Sequence, residues 1–288
     1  MDEIELFRQI VASCDEALKD VFLRRMEASV RIARAKLSRG ESVYSASDEQ
    51  QLLRSMSSGL SLELQSKARS LWKALLRMSR NRQYRVFLEL DESLRLNHEH
   101  DMTTQLPQGP CVCTADLVED VETLLGAQAV TAPTVDQALE DVAQGRQSWC
   151  AVSLRGVYKT DWLYDHLDAK KLYLNRILPA ADGTLLAIVS PKLVYVPGEE
   201  NMIGAVFYMS SESGSLAEAL SVLADNKQNM EFIHLEKKDS ADELHQFRLY
   251  VDFDGCVTSI DTRAAIYQLQ TELPYFRVVG SRKRITLP

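Results

Sequence analysis

The sequence predicts a multidomain chain: an all-α helical domain, then an α/β single lobe, then a βαββαβ ferredoxin-like domain. Three observations predict it. Apolar residues at helical spacing run over residues 4–38 without Gly or Pro. After a polar stretch that ends in Pro and Gly at 107–110, short β-like runs alternate with helical ones. From about residue 201 the pattern becomes strand, helix, two strands, helix, strand, the split βαβ arrangement. The expected boundaries are 1–90 for the helical domain, 91–110 for a linker, 111–198 for the lobe and 199–288 for the last domain.

The first helix rests on Ile4, Phe7, Ile10, Val11, Cys14, Leu18, Val21 and Phe22, and Gly40 is its stop. Residues 47–57, SDEQQLLRSMS, predict a short second helix with Ser47 as N-cap and acids in its first turn. Residues 62–90 predict a third. A long–short–long unit closes no large core alone, so dimerisation is expected to bury its apolar faces. In the lobe, CVCT, AQAVTA, WCAVSL and LLAIVS read as strands, with LVEDVETLL and TVDQALEDVAQG as helices. Asp182-Gly183 predicts a hairpin turn. In the last domain the strands are MIGAVFYMS, MEFIHLEKK, FRLYVDF and FRVVG, and the helices SLAEALSVLADN and DTRAAIYQLQTEL.

Composition narrows the function classes. The chain of 288 residues has a formal charge of −8. Residues 1–90 nevertheless hold 16 Lys and Arg against 12 Asp and Glu. An acidic whole argues against nucleic acid as a partner, and a basic first third suits a small anion. No apolar run approaches the length of a membrane span, and the acidic start MDEIELFRQ lacks the features of a signal peptide. Five scattered cysteines without CxxC suggest reduced thiols and a cytoplasmic protein. Cys111 and Cys113 read as buried thiols, and Trp72, Trp149 and Trp162 as packing residues. His98 and His100 read as solvated in the linker, and no metal or cofactor is expected. Nucleotide-binding and nucleophile-elbow motifs are absent from the sequence.

The segment RRMEASVRIARAKLSRG, residues 24–40, concentrates six basic side chains beside one acid, Glu27. On a regular helix Arg25 and Lys36, eleven apart, share a face, whereas Arg8 falls off it. Arg25 and Lys36 can therefore serve a site in their own subunit, and Arg8 one in a partner chain. On the third helix Ser79 and Gln83 are also face-sharing, at i,i+4.

This constellation resembles the all-helical class of chorismate mutase over roughly residues 5–85. The family pattern is matched by Arg8, Asp15-Glu16, Arg25, Lys36, Glu49 in DEQQLL, and the pair Ser79 and Gln83. The resemblance implies chorismate as substrate and Arg25, Lys36, Glu49 and Gln83 as catalytic residues. It implies substrate binding by Arg8, Ser79 and Ser45, and a homodimer that could pair into tetramers. The family often has Asp at position 45 and Arg at position 48; Ser45 and Asp48 depart from it, which implies either lower activity or compensation by a nearby base such as Arg39.

Residues 112–196 resemble part of a prephenate dehydratase, and residues 201–288 resemble an ACT domain, a module that binds amino acids. The ACT resemblance rests on ESGSLAEAL at 212–220 and the closing FRVVGS, and it implies an aromatic amino-acid effector at Gly214, Ser215 and Leu216. His234-Leu235-Glu236-Lys237 stands where the family's phenylalanine-binding Glu-Ser-Arg-Pro is expected. In the dehydratase-like part, SLRGVY replaces the family's Glu-Asn-Ser, Leu185 follows Thr184 where Arg is expected, and only some thirty residues separate Leu154 from Thr184. That is too short for a second lobe of ordinary size. The implied whole is a chorismate mutase with a degenerate dehydratase lobe and a regulatory or dimerising last domain. A bifunctional mutase–dehydratase and a non-catalytic amino-acid-sensing regulator are the alternatives.

Overall fold

The computed structural model describes residues 2–154, 161–180, 182–199, 201–212, 214–237 and 247–284. The chain divides into two compact units, Met1–Leu94 and Arg95–Pro288.

The first unit is three helices. Helix α1 spans Glu3–Arg39, α2 Ala46–Ser57 and α3 Leu62–Leu90. The side chain of Asp2 caps the start of α1, and Glu3 and Glu5 lie in its first turn, where they favour the positive end of the helix dipole. Gly40 ends α1 in the left-handed conformation at φ 66°, with its N–H donating to Leu37 O. Glu41 N donates to Lys36 O, so the paired bonds of a Schellman stop are present. Only Ser29 and Ala33 of α1 are buried; with Arg25 and Lys36, both half-buried, they form one stripe at i, i+4, i+8 and i+11. The N-terminal half of α1 presents Ile4, Phe7, Ile10, Val11, Leu18 and Val21 as exposed apolar side chains.

The second unit is built on a nine-stranded sheet. Its strands are β2 (Cys111–Thr114), β3 (Ala129–Ala132), β4 (Cys150–Leu154), β5 (Tyr173–Pro179), β6 (Leu185–Ser190), β8 (Asn201–Met209), β9 (Met230–Lys237), β10 (Phe247–Gly255) and β11 (Tyr275–Arg282), in the order β3-β2-β4-β6-β5-β11-β8-β10-β9. A short parallel pair joins β1 (Met102–Thr103) to β7 (Leu193–Val194). The helices are α4 (Val118–Leu125), α5 (Val135–Ala143), α6 (Asp161–Lys170), α7 (Ser215–Asp225) and α8 (Ile260–Glu272). The order β8-α7-β9-β10-α8-β11, with antiparallel strands β11-β8-β10-β9, is the expected βαββαβ arrangement.

Sequence reading separates 111–198 from 199–288, but the structure joins them. The residues between Leu154 and Thr184, too few for a second lobe, supply α6 and β5, both missed by pattern alone. Strand β5 pairs with β6 on one side and, in parallel, with β11 on the other. One apolar core runs through both parts, from Val112, Leu139 and Val152 through Leu163, Leu167 and Leu174 to Val206, Tyr250 and Val279. The opposite face of the first strands buries Cys111, Cys113, Trp149, Ala151 and Ile188. Burial pushes the Cys111 thiol up to about 12, so it is inert near neutral pH. At the seam Arg282 of β11 is paired with Asp252 of β10 at 2.7 Å, and both meet the hydroxyl of Tyr164 on α6.

Two further expectations are corrected. Ser45, not Ser47, is the N-cap of α2: its hydroxyl accepts from Asp48 N at 3.5 Å. The expected linker is in part folded into the second unit, because Asn97–Asp101 form a 3-10 turn. Glu99 there accepts from Leu96 N at 2.8 Å and from Arg263 Nε at 2.7 Å. His98 is consequently buried rather than solvated. The expected Asp182-Gly183 turn closes β5 onto β6, with Ala180 N donating to Thr184 O at 2.7 Å.

Two predictions follow from this packing. A Cβ at Gly280 would lie 2.5 Å from the Leu174 carbonyl oxygen across the β5–β11 seam, where backbone must move. Gly280→Ala should cost about 2 kcal/mol, lowering the calorimetric transition of the second unit by roughly 5 °C. Burial holds the His98 imidazole near pKa 4, with Glu99 opposing that shift and Arg263 adding to it. The unfolded chain therefore takes up a proton between pH 6.5 and 4 that the native chain refuses, so stability falls as pH falls through that window. Urea unfolding of wild type and His98→Leu at pH 7 and pH 4 should differ by about 3 kcal/mol more in the acid loss of the wild type.

Candidate active site

The candidate site lies within the helical unit, where the buried stripe of α1 meets α2 and the C-terminal half of α3. Arg25 reaches α3: its Nη1 donates to the hydroxyl of Ser79 and to Leu75 O at 2.9 Å. Ser79 in turn donates to Leu75 O at 2.8 Å, so the guanidinium, the hydroxyl and a helix carbonyl form one knot. Burial lowers the Arg25 pKa, and the Glu49 carboxylate partly restores it. Arg25 is thus partly desolvated and within the electrostatic reach of α2.

Lys36, three turns further along the same stripe, is half-buried and donates to Val43 O at 2.7 Å in the turn after α1. Glu49 is held by Arg80 of α3, whose Nη1 lies 2.6 and 2.5 Å from its two oxygens. The Arg80 guanidinium also lies 5.3 Å from the centre of the Tyr44 ring. Gln83, one turn beyond Ser79, is buried, and its Oε1 has no hydrogen-bond partner. Leaving a buried amide oxygen unpaired costs about 1–3 kcal/mol.

Arg25 and Ser79 therefore meet directly, Glu49 reaches Arg25 through its field, Gln83 stands one turn beyond Ser79 on α3, and Lys36 stands three turns, roughly 16 Å, beyond Arg25 on α1. Ser45 is occupied as the helix cap. Arg8 lies seventeen residues before Arg25, roughly 25 Å along the helix. Its side chain is exposed and 3.9 Å from Glu5. Arg39, the base expected to compensate for Asp48, is exposed and 3.8 Å from Glu41. Arg80 is the site residue that sequence reasoning missed. Its signal was a third-helix cation directly after Ser79, indistinguishable by pattern from Arg77, Arg82 and Arg85.

In the second unit, Gly214 at φ 96° starts α7 as its N-cap, with open space where a Cβ would point. The Ser215 hydroxyl lies 3.1 Å from that of Ser210 and donates to Glu212 O at 2.9 Å, and Leu216 is half-buried. Glu236 accepts from the Tyr250 hydroxyl at 3.2 Å, and the His234 ring packs against the Tyr250 ring. Of the SLRGVY segment, only Ser153 and Leu154 lie within the described residues.

Residues 7–84 match the family model for chorismate mutase type II. The match lies within the helical unit and covers 78 of the 288 residues. The match spans every site residue named above on α1, α2 and α3. Among solved structures, the chain resembles prephenate dehydratase from Streptococcus mutans, at 12% identity and TM-score 0.47, covering 62% of this chain and 100% of that one. It also resembles prephenate dehydratase from Arthrobacter aurescens in complex with L-Phe, at 15% identity and TM-score 0.49, covering 64% and 90%. A third is the quorum-quenching acylase GqqA, at 16% identity and TM-score 0.47, covering 61% and 94%. No curated protein matches the chain. No helix among the described residues is long and apolar enough to cross a membrane.

The Gln83 amide of the helical unit gives a stability prediction. Gln83→Met keeps the volume and removes the unsatisfied oxygen, so the unliganded helical unit should gain about 1 kcal/mol in urea unfolding. A loss of stability of similar size would show that Gln83 has a structural partner.

Proposed function

We propose that the chain converts chorismate to prephenate in the helical unit. The observation that carries this reading is the partly desolvated Arg25 held on Ser79, within a segment that matches the chorismate mutase type II model. The substrate is a dianion, and its rearrangement is a one-step pericyclic shift that needs no covalent intermediate. What the protein must supply is a folded conformer and charge stabilisation at the ether oxygen as the C–O bond breaks. Arg25 receives a carboxylate; its fork suits two oxygens. Lys36 and the Gln83 amide donate to the ether oxygen, and Gln83 does so without a change of protonation. Glu49 accepts from the substrate hydroxyl.

The exposed apolar half of α1 supports a homodimer in which a second copy covers Ile4, Phe7 and Val11 and brings Arg8 into the partner's site. The C-terminal βαββαβ part, with Gly214 opening α7 in the left-handed conformation, supports an ACT module for an aromatic amino acid, acting in regulation or dimerisation. A dehydratase cleft needs two facing lobes. Here β5, the strand from the short intervening segment, is flanked by β6 and β11 within one sheet, and Thr184 sits at a hairpin tip. These features favour a dehydratase-like lobe without dehydratase activity.

The test is the loss of chorismate absorbance with the purified full chain. Arg25→Ala should lower kcat/KM by about 10³-fold. Arg8→Ala should also inactivate. Mixing the two dead variants through an unfolding and refolding step should restore about a quarter of the wild-type sites, because half the dimers are hybrids with one intact site each. No recovery from folded hybrids would refute the shared site, and full turnover by Arg25→Ala would refute the site itself. Phenylpyruvate formed from prephenate at neutral pH would restore the bifunctional reading.

A further inference from the structure

Three groups in the site carry positive charge: Arg25, Lys36 and Arg80, against the one carboxylate of Glu49. We infer that Arg80 supplies positive charge to the candidate site and is the positioning residue for Glu49. The inference rests on the chorismate mutase reading above.

The geometry makes the case. Asp48 and Glu49 are adjacent on α2 and so point about 100° apart. Asp48 is exposed, whereas Glu49 turns inward to α3. With Asp48 turned outward, α3 is left to supply the positive charge that meets Glu49. Arg80 does so from the residue next to Ser79, which accepts from Arg25. Its side chain is 12% exposed and that of Glu49 21%, so the pair is withdrawn from water rather than a surface bridge. The Tyr44 ring, next to the residue that accepts from Lys36, lies beside the guanidinium. Arg80 thus connects the α1–α2 turn, α2 and α3 at one point.

The charge balance follows. Within one protomer the named groups sum to +2 with Arg80 and to +1 without it; the Arg8 that the proposed dimer brings from a second copy adds one to either sum, and Asp48 stands beside Glu49 on α2. Arg80 therefore acts twice. Its charge raises the affinity of the site for a dianion, and its hold on both Glu49 oxygens fixes the carboxylate where it can accept one further hydrogen bond.

Steady-state kinetics on chorismate with the full chain separate these actions. Arg80→Met should raise KM about 10-fold and lower kcat as well. Arg80→Lys keeps the charge but loses the planar guanidinium that lies over the Tyr44 ring while one of its nitrogens holds both Glu49 oxygens; it should hold KM within about 3-fold while kcat falls several-fold. Asp48→Arg in the Arg80→Met background should recover part of the KM loss, which a packing role for Arg80 would not allow. Values for Arg80→Met within about 2-fold of wild type would overturn the inference. If Arg80→Met does not fold, Arg80→Lys decides: a 10-fold rise in KM with kcat unchanged, or no change in either, overturns it. Absence of turnover in the wild type would instead sink the chorismate mutase reading, so the two failures are distinct.

Discussion

Positive charge held away from water is the constraint around which the helical unit is organised. Arg25 sits partly desolvated, and such a group is tolerated only where oxygen acceptors surround it. The Leu75 carbonyl and the Ser79 hydroxyl meet it on α3, and the field of Glu49 reaches it from α2. Glu49 itself is anchored by Arg80. The packing of α1 on α3 and the composition of the site are thus one problem with one solution. The α1 stripe that faces inward carries Arg25 and Lys36 with only the small Ser29 and Ala33 between them. Small residues let the helices approach, and the long cationic side chains extend past them.

The second unit depends on a different device. Pairing β5 with β11 removes an open edge that would otherwise end the lobe. The seam is sealed by close backbone approach at Gly280 and by the buried Arg282, Asp252 and Tyr164 cluster, which spans β11, β10 and α6. A buried ion pair of this kind adds little net stability over apolar packing, but mispairing it is costly, so it specifies which strands meet.

Much of the fold was legible in the sequence. Helix α1 ends at Gly40 as read, α2 and α3 lie within a residue of the expected 47–57 and 62–90, and strands β2, β4 and β6 sit at CVCT, CAVSL and LLAIVS. Strand β5 was hidden because YLNRILP mixes polar and apolar residues without clean alternation; Asn175 inside it is satisfied by Ser190, Lys192 and Val194. His98 looked solvated because NHEHD is polar. Its burial comes from Arg263, 165 positions away in sequence, drawing in Glu99 beside it. In the helical unit, the faces shared by Arg25 and Lys36 and by Ser79 and Gln83 were legible from helical spacing, which survives folding unchanged. Arg80 was not, because its role depends on which side of α3 faces α2.

Sequence alone determined the local elements of this protein and the face shared by Arg25 and Lys36, since helix period, capping and glycine stops are properties of neighbouring residues. Tertiary structure decided what those faces meet: Arg80 as the partner of Glu49, and one continuous sheet where two domains were expected. Those outcomes are set by contacts between residues far apart in the chain, and periodicity within a segment carries no information about them.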